Sequence, residues 1–559
     1  MRRGSWALAL LLATACSLPL PAGVHSTSGV PSQQQAAGLE VLPQGPTPGQ
    51  SQTAAVSGFL AAQASPAGDY AIARQFLMGD AARTWSPAAG IRVYQPQNEV
   101  VEPVPIQLQP NSVRVQLDVV GDVDASGHFV AAPERVNDSY GLTKTAQGWR
   151  VSRVPENVGL QLSLPDLQRT FTVHDIYYLA PQPPGVTSRH LAPDQVFLPK
   201  AAGATGLDTL VRRAFAPPSP ALVHAVEPVL SGITSQAVTV TRDGTVTVTL
   251  SEDANGLGAD DLRNLSARLV WTLRRSFPAF NGLRLRTARA VLRPPGSADV
   301  QPADSWGSFD PQSLAPDPAY YFVARDRVRS SGPQQPPTTV KAESVVVSPR
   351  GDRLATLRTT RGAVTVTFGS LRSTATEPGG PAGRYSSPSW GSGEAGLWLV
   401  SGTDRVVRLL PGASAPSGVP TPRRPAGAIT SLAVSRDGTR AALVVADHVY
   451  VAQVVWHSGT PSLEAFQLLR LPGSSTPTRV LWATPTELVL LQPDQGARAV
   501  LRMAVDGSGS QVVLTGRLVP TGIAAAGSAL VLASGGALYS VSQGITKVQQ
   551  SGTAPAFPG

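Results

Sequence analysis

Apolar residues first recur at helical spacing at Val56, Phe59 and Leu60, and again at Tyr70, Ala73, Phe76 and Leu77. One face of each short helix therefore turns toward a core. Pro87 ends the helical region, and the period becomes two: Val113, Val115, Leu117 and Val119 alternate with polar residues up to Gly121-Asp122. Further strands are expected at 128–131, 140–145, 148–154 and 171–179. Residues 53–200 thus read as an α+β domain of cystatin- or NTF2-like character, with Trp85, Trp149, Tyr177 and Tyr178 packed in its core.

A second α+β unit is expected over 201–295. Leu207, Leu210 and Val211 begin a helix, and Leu222, Val226, Val229 and Leu230 predict another. Residues 237–250 alternate strictly on either side of Asp243-Gly244, the signature of a hairpin with a type I′ turn. Asp260 and Asp261 precede Leu262, Leu265, Leu269 and Leu273, an apolar stripe with carboxylates at the positive end of the helix. Asn281-Gly282 closes the unit before a last strand at Leu283 and Leu285, and 296–317 reads as a linker.

From 318 to 559 the pattern is strand-like and repeats. Val345-Val346-Val347-Ser348-Pro349-Arg350-Gly351-Asp352 resembles Leu432-Ala433-Val434-Ser435-Arg436-Asp437-Gly438-Thr439, and each is followed by a second apolar strand. Weaker copies align on Ser389, Trp482 and Ile523, giving spacings of 41, 46, 47 and 41 residues. Several short strands per repeat of this length predict propeller blades. Five copies are visible, and 320–328 supplies a closing strand or a sixth partial blade. The fold class is therefore multidomain: two α+β domains followed by an all-β propeller of five or six blades.

The first residues follow a different logic. Met1-Arg2-Arg3 is basic, and residues 7–15 form an apolar run of nine ending at Cys16. Nine helical residues span about 14 Å, far short of a bilayer's ~30 Å core, so 1–15 reads as a secretory signal peptide. Leu12-Ala13-Thr14-Ala15-Cys16 resembles a bacterial lipobox, with Ala13 in the place usually held by leucine. Ala-x-Ala processing after Ala15 would instead leave a free thiol. The position of the chain's single cysteine favours lipidation of Cys16 as an N-palmitoyl, S-diacylglycerol anchor. Residues 16–52, rich in Pro, Gly, Ser and Gln with almost no charge, read as a tether.

Composition narrows the chemistry. One cysteine in 559 residues closes no intrachain disulfide and builds no Cys-ligated zinc or iron–sulfur site. The net charge of +9 comes from 46 Lys+Arg against 37 Asp+Glu. Only four of these cations are lysine, and the arginines are spread along the chain rather than gathered on one segment, so nucleic acid is not an expected partner. Gly391-Ser392-Gly393-Glu394-Ala395-Gly396 matches G-x-G-x-x-G but lies between strands, not before a helix. Glu252-Asp253-Ala254-Asn255-Gly256 lacks the later oxygen ligands of a calcium loop. The seven histidines show no metal-ligand spacing, and His174-Asp175 reads as a sheet-surface contact. No catalytic, cofactor-binding or metal-ligating residue is assigned.

The order of parts resembles the LpqB family of actinobacterial lipoproteins. The matching stretches are Gly45-Pro46-Thr47-Pro48-Gly49, Val56-Ser57-Gly58-Phe59-Leu60, Ala73-Arg74-Gln75-Phe76-Leu77, Thr84-Trp85-Ser86-Pro87, Gly148-Trp149-Arg150-Val151 and Leu191-Ala192-Pro193-Asp194. A GerMN-like core at 237–286, with Leu269-Val270-Trp271-Thr272-Leu273, and the blade turn Val434-Ser435-Arg436-Asp437-Gly438 follow in order. The resemblance implies a membrane-anchored, extracytoplasmic, non-catalytic accessory protein of the MtrA–MtrB two-component system. Its expected partner is the extracytoplasmic domain of an MtrB-like sensor histidine kinase, with consequences for envelope homeostasis and division. The alternatives are a peptidoglycan- or carbohydrate-binding envelope lipoprotein, showing exposed aromatics such as Trp398, Trp456 or Trp482, and a propeller hydrolase or lyase with polar groups converging in the central channel.

Overall fold

The computed structural model describes residues 43–559 apart from 97–103, 106–110, 157, 184–185, 187, 201–203, 313, 315–317, 338–339, 393–395, 473–475, 495–496, 515–517 and 543. Residues 1–15, read above as a signal peptide, Cys16 and most of the stretch read as a tether lie outside the described residues.

Three helices, α1 (Gln52–Ala62), α2 (Ala67–Gln75) and α3 (Gly79–Thr84), open the first domain. The Ser51 hydroxyl caps α1 by accepting from the Ala54 N–H, satisfying a donor that the helix cannot pair internally. The helices pack on a sheet of β1 (Ile91–Tyr94), β2 (Val104–Pro105), β3 (Ser112–Val123), β4 (Phe129–Thr145), β5 (Gly148–Arg153) and β6 (Leu160–Ser163), whose main order is β5-β4-β3-β1-β6. The two strands expected at 128–131 and 140–145 are one 17-residue strand paired along β3. Val113, Val115 and Leu117 are fully buried, as their alternation predicts. Trp85 stands edge-on to Phe59 and Tyr70 and donates from Nε1 to the Gly159 carbonyl, so it is core. A short helix, α4 (Leu164–Thr170), leads into a hairpin of β7 (Phe171–Leu179) and β8 (Leu191–Pro199).

That hairpin is a wall shared by two cores. Phe171 and Phe197 pack with the first domain, whereas Ile176, Tyr178, Ala192, Val196 and Leu198 pack with the second. The residue 200 boundary expected from sequence therefore follows a hairpin that already belongs partly to the second unit. The main element there is α6 (Ala259–Ser276), preceded by α5 (Ala204–Ala214), β9 (Ser235–Val240) and β10 (Thr245–Leu250). After α6 come β11 (Gly282–Arg286), β12 (Val291–Leu292) and β13 (Gln301–Pro302). Arg268 of α6 reaches across and donates to the carbonyls of Tyr177 (2.9 Å) and Ala214 (2.7 Å), tying β7 and α5 to the helix.

Two local expectations fail here. Residues 221–226 form turns instead of a helix, because Pro217, Pro218, Pro220 and Pro228 deny it donors and leave only isolated bonds such as Ala225 N–H to Leu222 O. The Asp243-Gly244 hairpin has no type I′ turn, since Asp243 keeps a negative φ. Instead Gly244 donates to Thr241 O and takes φ +84°, a turn ending in a glycine bulge, while the Asp243 carboxylate accepts from the Thr241 and Thr245 hydroxyls.

The C-terminal domain is a ring of five four-stranded blades and a three-stranded sixth. Its innermost strands are Ser344–Val347, Tyr385–Trp390, Ile429–Val434, Arg479–Thr484, Gly522–Ala526 and Thr553–Ala556. The sixth blade joins the domain's two ends: Thr553–Ala556 pairs with Tyr321–Ala324, which pairs with Arg327–Ser330. The repeated sequence motif is the turn between first and second blade strands. Gly351 and Gly438 both take φ near +70° (65° and 75°), and each donates to the carbonyl of the serine three residues before it.

Candidate functional site

Those blade turns face the two N-terminal modules. Arg350 of the first turn donates to the Ser188 hydroxyl at 3.0 Å. Beside the Ser435 turn, Arg440 is 2% exposed and donates to the carbonyls of Pro193 (3.0 Å) and Pro485 (3.3 Å). Gln453, on the next strand, donates to Pro220 O and accepts from the His224 N–H. The propeller is therefore bonded to the second module through buried side chains.

At the centre of this junction lies Asp194. It accepts from the Ser219 N–H (2.6 Å) and hydroxyl (2.9 Å), with Arg440 at 3.8 Å and His128 Nε2 at 3.4 Å. His128 immediately precedes β4 of the first domain, Asp194 comes from β8, and Arg440 from the propeller, so one carboxylate gathers three modules. Burial opposes protonation of His128, and Arg213 adds a small opposing repulsion. The hydrogen bond to Asp124 and the charges of Asp194 and Asp124 outweigh them, raising its pKa above the ordinary value.

The junction borders a cleft of about 320 Å³, lined by His128, Phe129, Asp194, Gln195, Arg440 and Asp506 among others. Its walls are otherwise largely apolar, with Val130, Val451, Phe466 and Val505. Three fully buried polar atoms on its lining residues make no hydrogen bond, Gln195 Oε1, Arg440 Nε and Asp506 Oδ2, while His128 Nε2 has only its charge contact with Asp194. Burial raises the Asp506 carboxyl pKa, and the Asp194 charge adds to the rise, although Ser508 donates to it through its N–H. An apolar cavity with converging, perturbed polar groups is the usual form of a small-molecule site.

The propeller channel is a second cavity of about 320 Å³, bordered by the innermost strands. Arg436 closes one end. It is 5% exposed and donates to the carbonyls of Pro558 (2.9 Å), Ala483 (3.4 Å) and Ala525 (3.4 Å), and burial lowers its pKa to about 10. Arg479 lines the same channel, and its guanidinium too is lowered by burial. The described lining residues contribute hydroxyls and these two guanidiniums, with no side-chain carboxylate, imidazole or thiol.

Other sequence candidates have structural roles. His174 and Asp175 are successive on a strand and so face opposite sides. Glu252–Gly256 is a single 3-10 turn whose Glu252 and Asn255 bond the 287–288 segment. Gly391 donates to the Gly396 carbonyl just before the strand Leu397–Ser401, so no helix follows the G-x-G-x-x-G match, whose residues 393–395 lie outside the described residues. No group of three metal-ligating side chains occurs among the described residues. Trp398 and Trp482 are buried at 1% and 6%, while Trp456 is partly buried beneath the Arg408 guanidinium. The junction was invisible in sequence. Asp194 stood out only within the Leu191-Ala192-Pro193-Asp194 stretch, and His128, Arg440 and Asp506 carried no motif.

Comparison with known proteins agrees with the domain order. Residues 45–166 match the model of the lipoprotein LpqB N-terminal domain, 175–287 that of the sporulation and spore germination (Germane) domain, and 325–558 that of the lipoprotein LpqB beta-propeller domain. The Germane match begins within β7, in keeping with the shared hairpin. A lipoprotein LpqB from Thermobifida fusca is 27% identical over 99% of this chain and 97% of its own length. That of Mycobacterium tuberculosis is 26% identical over 92% of each. The Cutibacterium acnes relative is 30% identical over 59% of this chain and 55% of its own length. Among solved structures, TolB from Acinetobacter baumannii aligns over 69% of this chain and 99% of its own, at 11% identity and a TM-score of 0.36. With the LpqB N-terminal, Germane and LpqB propeller domains in sequence along one chain, the protein belongs to the LpqB family of lipoproteins.

Proposed function

We propose that the chain is a lipid-anchored extracytoplasmic scaffold. It docks on the extracytoplasmic domain of an MtrB-like sensor histidine kinase and biases signalling that governs envelope homeostasis and division, without catalysing a reaction itself. The observation that carries the scaffold reading is the buried junction at Asp194, which joins three modules so that their outer faces keep a fixed relation. A scaffold of fixed geometry can favour one kinase conformation, provided that it binds the two states with different affinity. The tether from Cys16 gives this body reach from the membrane: about 35 residues of coil have a typical span of roughly 30–35 Å. The glycan-binding alternative loses Trp398 and Trp482, which are core residues.

The test uses the intact chain in cells, with photo-crosslinking residues placed singly across the exposed faces of all three modules. The expected result is capture of the kinase from a contiguous patch on one or two modules. Absence of the kinase from every position, with the protein correctly anchored, would overturn the partnership.

A further inference from the structure

We infer that the mouth of the propeller channel, at Arg479, is a binding site for a small oxyanion: a carboxylate or phosphate group on a compact body. This goes beyond the scaffold role and stands whether or not the kinase is the partner. Arg479 opens its inner strand, and the next residue, Val480, donates its N–H to the Ser431 hydroxyl of the neighbouring blade at 3.1 Å. That bond sets Arg479 level with Thr430. From Thr430 to Arg436 the extended chain covers roughly 20 Å. Arg436 closes the end beside the blade turns that meet the N-terminal modules, so Arg479 stands at the opposite end, where Thr430 and Thr478 are exposed.

The two arginines differ in what holds them. Arg436 is engaged by three carbonyls. Among the described residues the Arg479 guanidinium makes no hydrogen bond, ion pair or ring contact. Arg479 is only partly buried, and none of its nitrogens is sealed from the solvent space of the channel. A cation drawn partly out of water with no counter-charge is costly, and no side-chain carboxylate lines this channel to offset it. An incoming anion supplies the missing partner.

The rest of the rim suits the same visitor. The Thr430 and Ser344 hydroxyls line the channel and bond no other protein group, so each is free to donate. A guanidinium fork takes two oxygens of a carboxylate or phosphate side by side, and a rim hydroxyl can serve a third. Arg436 at the floor adds positive potential, which a narrow channel with low-dielectric walls concentrates. The cavity of about 320 Å³ admits a compact ligand.

The experiment titrates the intact protein with inorganic phosphate, with succinate and with choline at constant ionic strength, by calorimetry and thermal shift. Phosphate or succinate is expected to bind saturably at one site and to raise the melting temperature, and choline to do neither. Preference between the two anions tells a phosphate source from a carboxylate one, and either preference supports the site. Arg479→Gln breaks no bond, so the variant should melt no lower than the parent while losing about tenfold or more in anion affinity. Thr430→Val should weaken the same anion by a smaller factor. Arg372→Gln removes one positive charge from an exposed loop and should leave binding unchanged. The inference is overturned if neither anion gives saturable heat or a thermal shift. It is equally overturned if Arg479→Gln and Thr430→Val both leave binding unchanged, or if Arg372→Gln weakens it as much as Arg479→Gln does.

Discussion

At the scale of the residue, Arg440 and His128 show how a few buried charges can hold large modules. Arg440 donates to two proline carbonyls from different modules and stands beside Asp194. Arg440→Met removes two hydrogen bonds to buried carbonyls and one of the charges beside Asp194, which keeps Ser219 and His128, and should destabilise the protein by about 1–3 kcal/mol, measured by chemical denaturation. His128 gives a pH signature. Its folded pKa is raised, so its contribution is complete below the unfolded value near 6.5 and is lost as pH rises through the folded value. The junction should therefore exchange amide protons more slowly, relative to intrinsic rates, at pH 6 than at pH 8. His128→Gln should flatten that difference; an unchanged pH profile in the variant would remove His128 from the coupling. Cys16 belongs at this scale too. Cys16→Ser is expected to move the protein from the membrane fraction to the soluble one, and continued membrane retention would count against the lipid anchor.

At the scale of the element, the turn at Gly244 is the most constrained short segment. A Cβ there would lie 1.9 Å from the Ala279 carbonyl oxygen, and φ of +84° already disfavours any side chain. Gly244→Ala should cost on the order of 1–3 kcal/mol from backbone strain, with the clash added. Gly418→Ala, where a Cβ meets open space, should change stability little under the same denaturation assay. Such elements were also the most legible ones. Period-two alternation located β3, β9 and β10, and the acidic residues before Leu262 located the start of α6. The turn type was not legible, because Asp243-Gly244 serves either geometry and the Thr241 and Thr245 hydroxyls favour the bulged one. The apolar spacing over 222–230 misled for a different reason, since prolines override periodicity.

At the scale of the whole molecule, the repeat spacing revealed the blades because each must supply the same turn between its inner strands. The junction remained hidden, because 128, 194, 440 and 506 converge only after three modules have folded and no local pattern reports such convergence. The ring closes by pairing Thr553–Ala556 with Tyr321–Ala324. Removing 553–559 should leave both the Tyr321–Ala324 edge and the flank of the first blade open. Limited proteolysis is expected to show the propeller cut well before the first domain, and equal resistance of the truncated and intact proteins would refute that role for the strand.

The same closure sets a timetable for synthesis. The strand Tyr321–Ala324 emerges roughly 230 residues before its partner, which at a ribosomal pace of about 5–20 residues per second is a wait on the order of 10–45 s. Through that interval the nascent chain carries an unpaired strand edge while the first α+β domain is already free to fold. Whatever escorts the nascent chain must shield that edge until the last strand arrives.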